Sequence, residues 1–280
     1  MNYRYILLIV LIVVPAIFLF MYPLPFGEAF LMILSVLAGL WLLSLAIKDA
    51  SIIDIFWGPG FVILAWFYFW HSPGPGSQRS VLLCSMVTIW GLRLAWHIGR
   101  RNLGKGEDFR YKGWREAGGK NYWWISFLRV FLLQGILMWI ISSPLMMAMS
   151  DSMVFSLTTL DKVGIALWVI GFGFEAVGDR QLKQFKANPE NAGKVMDQGL
   201  WRFTRHPNYF GDALLWWGYF MFALDQTGGW IFIFSPVLMT FLLMQVSGVA
   251  LLEKTLSESK PAYRAYIGRT SAFFPWFPGK

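Results

Sequence analysis

Apolar residues run along this chain in long blocks separated by short polar joints, at roughly 5–22, 28–47, 54–70, 80–99, 123–149, 160–178, 209–225 and 229–252. Each block is long enough, or nearly so, to cross a hydrocarbon layer of about 30 Å as an α-helix. The pattern predicts an all-α, polytopic integral membrane bundle of seven to eight transmembrane helices, with cytoplasmic loops closing over a ligand. The first block starts almost at the N-terminus, ends in Tyr22-Pro23-Leu24-Pro25 and has no small-residue cleavage pattern, so it reads as a retained anchor. Blocks 54–70 and 209–225 are short and interrupted at their starts, by Gly58-Pro59-Gly60 and by His206-Pro207. Broken helices at membrane depth line cavities.

Composition narrows the class. Of 280 residues, 56% are hydrophobic and 14% charged, with sixteen tryptophans, and the mean hydropathy is +0.51. Soluble domains carry nearer a quarter charged residues, so a single membrane domain over residues 1–280 is expected. Cys84 is the only cysteine, which excludes an intrachain disulfide and a thiolate metal cage. A net charge of +8 raises nucleic acid as a partner, but the basic residues cluster beside the apolar blocks instead of forming one polar face, so none is expected. The joints around 23–27, 71–80, 150–162 and 225–229 hold only Arg79 and Lys162 among lysines and arginines. Arg4, Lys48, the loops 100–122 and 180–206 and the tail after Glu253 hold nearly all the rest, which by the positive-inside rule places both termini and these loops in the cytoplasm.

Polar residues inside or beside the apolar blocks are the candidates for chemistry: Asp54, Arg93, His97, Glu175, Asp179, Asn208, Asp212 and Gln245. The densest stretch is GLWRFTRHPNYFGD, Gly199 to Asp212. Pro207 holds His206 extended and predicts a helix beginning there. That helix would stack Asn208 over Asp212 at i,i+4, near Tyr209 and Trp216, with Arg205 and His206 beside its N-terminus as an anion site. Arg93 and His97 are four apart on a helix that runs into Arg100, Arg101 and the loop GKGEDFRY, Gly104 to Tyr111, while Glu175 and Asp179 repeat the same spacing. Together these groups fit one polyanionic, hydrogen-bond-rich ligand such as a dinucleotide; the alternative is that they pair among themselves as structural ion pairs. Gly171-Phe172-Gly173 lies in a hydrophobic helix with no strand before it and reads as a helix contact. His71, His97 and His206 have no ligand spacing, so no metal is expected, and no nucleophile arrangement supports covalent hydrolysis.

With those residues in place, the chain resembles the membrane reductase superfamily of steroid 5α-reductases, delta-14 sterol reductases and isoprenylcysteine methyltransferases. GLWRFTRHPNYFGD carries the superfamily likeness, and WGLRLAWHI (Trp90 to Ile98), GKGEDFRY and GFGFEAVGDRQLKQF (Gly171 to Phe185) are most similar to the bacterial branch of the steroid 5α-reductases. The likeness covers roughly residues 50–278, leaving the N-terminal helices of 1–50 outside it, and assigns 160–278 as a cofactor-binding half. It implies a multi-pass protein of a bacterial inner membrane that takes NADPH from the cytoplasm and a steroid-like lipophilic substrate from the bilayer. The reaction implied is NADPH-dependent reduction of the 4-ene bond of 3-oxosteroids or similar flat enones.

Residue by residue, the resemblance carries cofactor roles onto Glu175, Asp179, Lys186, Lys194, Asn208 and Trp216, with Arg93 near the cofactor and Gln245 and Glu253 as counterparts close to the C-terminus. Arg205, His206, Tyr209, Asp212, His97, Arg101 and Lys105 join them by context. Family enzymes polarise the ketone with a carboxylic acid and a tyrosine. Asp54 stands for the acid, where Glu is usual; Trp90 lies about where the tyrosine is expected, and Trp57 is one turn from Asp54. A protonated Asp54, with no cationic neighbour in sequence, would hydrogen-bond the enolate oxygen. Two rival readings stay open: a methyltransferase using S-adenosylmethionine, and a non-enzymatic lipid- or sterol-binding or transport protein.

Overall fold

A computed structural model of the chain describes residues 25–73, 75–102, 104–150, 156–246, 249, 253, 256 and 261–279. Among them every regular element is helical. The predicted block at 5–22 lies outside the described residues. The chain divides into two compact units, residues 1–157 and 158–280.

In the first unit, α1 (Phe26–Ile47) ends where Lys48 turns left-handed at φ 56 and donates its N–H back to Ser44. Asp49 then takes both the N–H and the hydroxyl of Ser51, at 2.8 and 2.6 Å, and α2 (Ile52–His71) begins. After α3 (Gln78–Asn102) and α4 (Phe109–Gly118) comes a nearly continuous rod of α5 (Tyr122–Ser126), a π-helical turn (Phe127–Leu132), α6 (Leu133–Ile141) and α7 (Ser143–Ala148). The rod is fixed to α1 by Trp139, which stacks on Phe26 at 4.2 Å and donates to its carbonyl at 2.8 Å.

The expected break at Gly58-Pro59-Gly60 is absent: α2 passes through Pro59 without interruption. A proline costs a helix one donor, which a membrane helix tolerates when a neighbour supports the backbone. Here the neighbour is α3. A Cβ on Gly58 would meet the Gly91 carbonyl oxygen at 2.1 Å, and one on Gly91 would meet the Gly58 oxygen at 2.7 Å. The glycines serve backbone contact, not a cavity.

The second unit is built on α8 (Thr159–Ala187) and α9 (Pro207–Leu224). Thr158 and Asp161 form a reciprocal capping box that starts α8. Pro207 opens α9 at its first position, as its fixed φ and missing donor predict. The two helices touch along a seam of glycines spaced by seven. Gly164 faces Gly218, Gly171 faces Gly211, and Gly178 faces Pro207 and Asn208, with backbone atoms 2.4–2.7 Å from the Cβ positions of the first two pairs. The expectation that Gly171 marks a helix contact holds. A 3₁₀ turn (Gly199–Arg202) precedes α9; after it come a 3₁₀ turn (Gly229–Ile233), α10 (Phe234–Phe241), a π turn (Leu242–Val246) and α11 (Pro261–Arg269).

Five helical stretches among the described residues are long and apolar enough to cross a membrane: Phe26–Ile47, Ile52–His71, Gln78–Asn102, Phe109–Ala148 and Gly229–Val246. Their outward apolar side chains, such as Leu31, Leu42, Trp70, Ile89 and Trp96, are more than half exposed and suit contact with lipid. The predicted blocks 160–178 and 209–225 are the helices α8 and α9. They fall outside that set because Asp161, Lys162, Glu175, Asn208 and Asp212 dilute their apolar character.

Gly211→Ala should destabilise the protein by roughly 1–3 kcal/mol, because its methyl group has only backbone to displace. Gly173→Ala, with open space around it, should be neutral or stabilising by up to about 1 kcal/mol. Thermal unfolding in detergent compares them, and equal melting temperatures would show that the helices part at no cost.

Candidate functional site

Two clusters of polar side chains stand out, one in each unit. The first gathers on Asp54, in the first turn of α2. Tyr111 donates its hydroxyl to Oδ1 at 2.6 Å and Arg110 donates Nη2 to Oδ2 at 2.7 Å. The Asp54 side chain keeps 21% of its surface exposed and Arg110 keeps 28%, whereas Tyr111 is buried. Both donors come from α4, which Asp108 caps by accepting the Arg110 N–H at 3.0 Å; the same carboxylate oxygen takes Arg110 Nε at 2.9 Å. The expectation that Asp54 has no cationic neighbour is corrected: Arg110 is that neighbour, 56 residues away in sequence, and side chains of α4 engage both Asp54 oxygens.

The tyrosine in contact with Asp54 is Tyr111, the last residue of GKGEDFRY, a loop that sequence reasoning ties only to the basic cluster after Arg93. Trp90, expected near the family tyrosine's place, is fully buried on α3 with its ring 5.8 Å from Phe61 of α2, so it serves the contact between the two helices, whereas Trp57 packs edge-on against Phe61 of its own helix at 5.4 Å. Beside the Asp54 turn lies a cleft of about 430 Å³ lined by Ser51, Ile55, Trp96, Gly99, Arg100 and Gly104 among others. Arg93 and His97 are half-buried on α3, and Arg101 and Lys105 are exposed.

The second cluster sits on the glycine seam. Because Gly211 lies against the backbone of Glu175, the polar residues of α8 and α9 meet as rungs. Asn208 donates to Asp179 Oδ1 at 3.0 Å, Glu175 and Asp212 are buried with 3% and 8% exposure, and Trp216 and Tyr219 close the ladder with rings 5.2 Å apart. Trp168 donates to the Tyr219 hydroxyl at 2.9 Å. The Asn208 side-chain oxygen is buried and finds no hydrogen-bond partner among the described residues. An orphaned acceptor beside carboxylates fits a ligand's amide or hydroxyl donors. Lys186 and Lys194 lie exposed on the following turn and loop, where they suit phosphates, and Gln245 is exposed on the π turn.

Arg205 and His206 have a different occupation from the expected anion site. Arg205 is buried and donates Nε to Glu253 Oε1 at 2.7 Å, and Nη1 to the carbonyls of Ile267, at 3.1 Å, and Thr270. His206 Nε2 lies 3.2 Å from the same Glu253 oxygen, and its ring stacks on Tyr209. Partial burial alone pushes the Glu253 carboxyl up, but hydrogen bonds and charge from His206 and Arg205 outweigh it and hold the group at about 2, below its ordinary 4.5. The three residues form an internal hub that binds the C-terminal segment. Among the described residues no group of histidines, cysteines and carboxylates could hold a metal ion.

Compared with known proteins, the chain matches the family described as protein of unknown function DUF1295 over residues 40–270, and it belongs to that family. It is 25% identical over 281 aligned positions to an uncharacterized protein of Schizosaccharomyces pombe, covering 89% of this chain and 79% of that protein. No solved structure matches.

The hub sets a pH dependence. A carboxyl depressed from 4.5 to about 2 contributes stability that is fully present above 4.5 and is lost as pH falls through about 2. Glu253→Gln should lower stability at neutral pH by about 1 kcal/mol, allowing for solvent screening, and the gap from wild type should close between those values on acidification. Melting temperature against pH for both proteins checks it; a gap constant down to pH 2 contradicts the assignment.

Proposed function

We propose that this DUF1295 protein is a membrane reductase that uses NADPH to saturate the carbon–carbon double bond of a flat lipophilic enone, of the 3-oxo-4-ene steroid kind. The observation that carries the reading is the Tyr111–Asp54–Arg110 cluster, because conjugate reduction collects negative charge on a carbonyl oxygen and needs donors held ready for it. The bound cofactor would supply a hydride to the β-carbon. The chain's part is to hold the Tyr111 hydroxyl and the Arg110 guanidinium beside Asp54 and orient the carbonyl against them; as the enolate forms, Tyr111 turns its one proton from Asp54 to the enolate oxygen, and solvent reprotonates the tyrosinate.

The residues of the α8–α9 seam support a cofactor role. The Asn208 oxygen and the Asp179 carboxylate accept from amide or hydroxyl groups, as a carboxamide and ribose present, and exposed Lys186 and Lys194 suit phosphates. The charge bias of the loops supports a cytoplasmic position for these polar ends, and a lipophilic enone would arrive from the bilayer.

One observation favours a second reading. Glu175, Asp179 and Asp212 crowd the seam while Arg205 is engaged by Glu253, and an acceptor-rich site of that kind also suits the cationic methyl donor S-adenosylmethionine. A methyltransferase needs no donors for a ketone oxygen, so the Arg110 and Tyr111 donors gathered beside Asp54 favour the reductase reading.

Purified protein in detergent should gain thermal stability with NADPH and not with S-adenosylmethionine, and should oxidise NADPH in the presence of progesterone or testosterone. Stabilisation by S-adenosylmethionine alone would replace the first reading with the second. Tyr111→Phe should leave NADPH affinity unchanged and cut turnover on the order of a hundredfold. Asn208→Ala should do the reverse, weakening NADPH binding by roughly tenfold, as the loss of a hydrogen bond near 1.4 kcal/mol implies. A Tyr111→Phe enzyme with wild-type turnover would remove the assigned donor.

A further inference from the structure

A second carboxylate attaches α4 to the start of α2. Glu107, just before α4, accepts Arg115 Nε on Oε2 and Arg115 Nη2 on Oε1, both at 2.8 Å, a bidentate pair. Its Oε1 also accepts the N–H of Ala50 at 2.9 Å, and the side chain is only 8% exposed. Ala50 is fully buried in the turn between α1 and α2. Arg115 lies over the ring of Tyr122, 4.5 Å from its centroid, so the same guanidinium also reaches α5.

The spacing gives this attachment its meaning. Ala50 lies in the turn just before α2 and Asp54 in its first turn, while Tyr111 and Arg115 are four apart on one face of α4, so α4 meets the start of α2 at two places. One grip is on Asp54, made by the Tyr111 hydroxyl and the Arg110 guanidinium; the other is Arg115, through Glu107, on Ala50. Gly106, immediately before Glu107, sits at φ 71 with nothing within 4 Å of its Cβ position, so no packing at that residue fixes the turn into α4.

We propose that Glu107 and Arg115 are positioning residues, a latch whose closure sets Tyr111 on Asp54. The proposal rests on the reading of Tyr111 as the carbonyl donor for its consequence in catalysis, while the latch itself is a statement about α4 and α2. Removing either half frees the second grip, and Tyr111 then leaves Asp54 for part of the time. A purely structural ion pair at the same place would lower the melting temperature and leave the surroundings of the Tyr111 hydroxyl in the folded protein as they were.

The test is the ¹⁹F resonance of 3-fluorotyrosine incorporated at position 111 in the full chain, in detergent, without substrate or cofactor. Asp54→Ala fixes the position of the resonance for a broken contact. Glu107→Ala and Arg115→Ala should each move it most of the way there, and Lys112→Ala, an exposed residue of the same helix, should leave it in place. Where Glu107→Ala loses its helical circular dichroism, Glu107→Gln, which keeps an acceptor for the Ala50 N–H and gives up the charge, is read in the same way. Latch variants that keep the wild-type resonance overturn the proposal, as does an equal displacement by Lys112→Ala. Because no turnover is read, failure of the latch is distinguishable from failure of the reductase reading, which the progesterone assay decides separately.

Discussion

Backbone contact between α8 and α9 is the constraint on which the polar chemistry of the second unit depends. Carboxylates are costly in an apolar surrounding and persist only where partners are within reach. With glycine at 164, 171, 211 and 218, the helices approach until carbonyl oxygens lie where side chains would otherwise stand. That closeness lets a short Asn208 side chain reach Asp179 directly, at 3.0 Å. Larger residues along the seam would separate the rungs, and each carboxylate would then be buried with its acceptors unmet.

Arg205 shows the opposite use of charge. Five donors on one planar group can serve several acceptors at once, and this one joins the turn before α9 to Glu253 and to the carbonyls that end α11. Thr204 adds a hydroxyl to the carbonyl of Phe273 at 2.9 Å, and Trp276 donates its N–H to Phe203 at the same distance. The basic motif thus works inward, as the clasp of its own tail.

Local rules explain what could be read in the sequence. The start of α9 followed from Pro207 alone, and the helix-contact role of Gly171 from its apolar surroundings. The Asp54 cluster escaped because its partners are 56 and 57 residues away, and GKGEDFRY looked like a phosphate loop by charge. A signal was present: Asp108 is a good N-cap, which starts a helix at Phe109 and sets Tyr111 and Arg115 on one face. Gly58-Pro59-Gly60 misled for the complementary reason, since a glycine that admits a neighbouring backbone and one that breaks a helix look alike until the neighbour is known.

The clasp on Arg205 also governs the order in which the molecule can be finished. Its acceptors lie 48, 62 and 65 positions further along the chain, so a ribosome releases them well after the arginine has emerged. Until Glu253 arrives, a guanidinium destined for burial has no counter-charge, and until Thr270 follows, its remaining donors lack their carbonyls. A chain that stops between Arg205 and Thr270 therefore keeps the arginine and lacks part or all of the acceptor set that its burial requires.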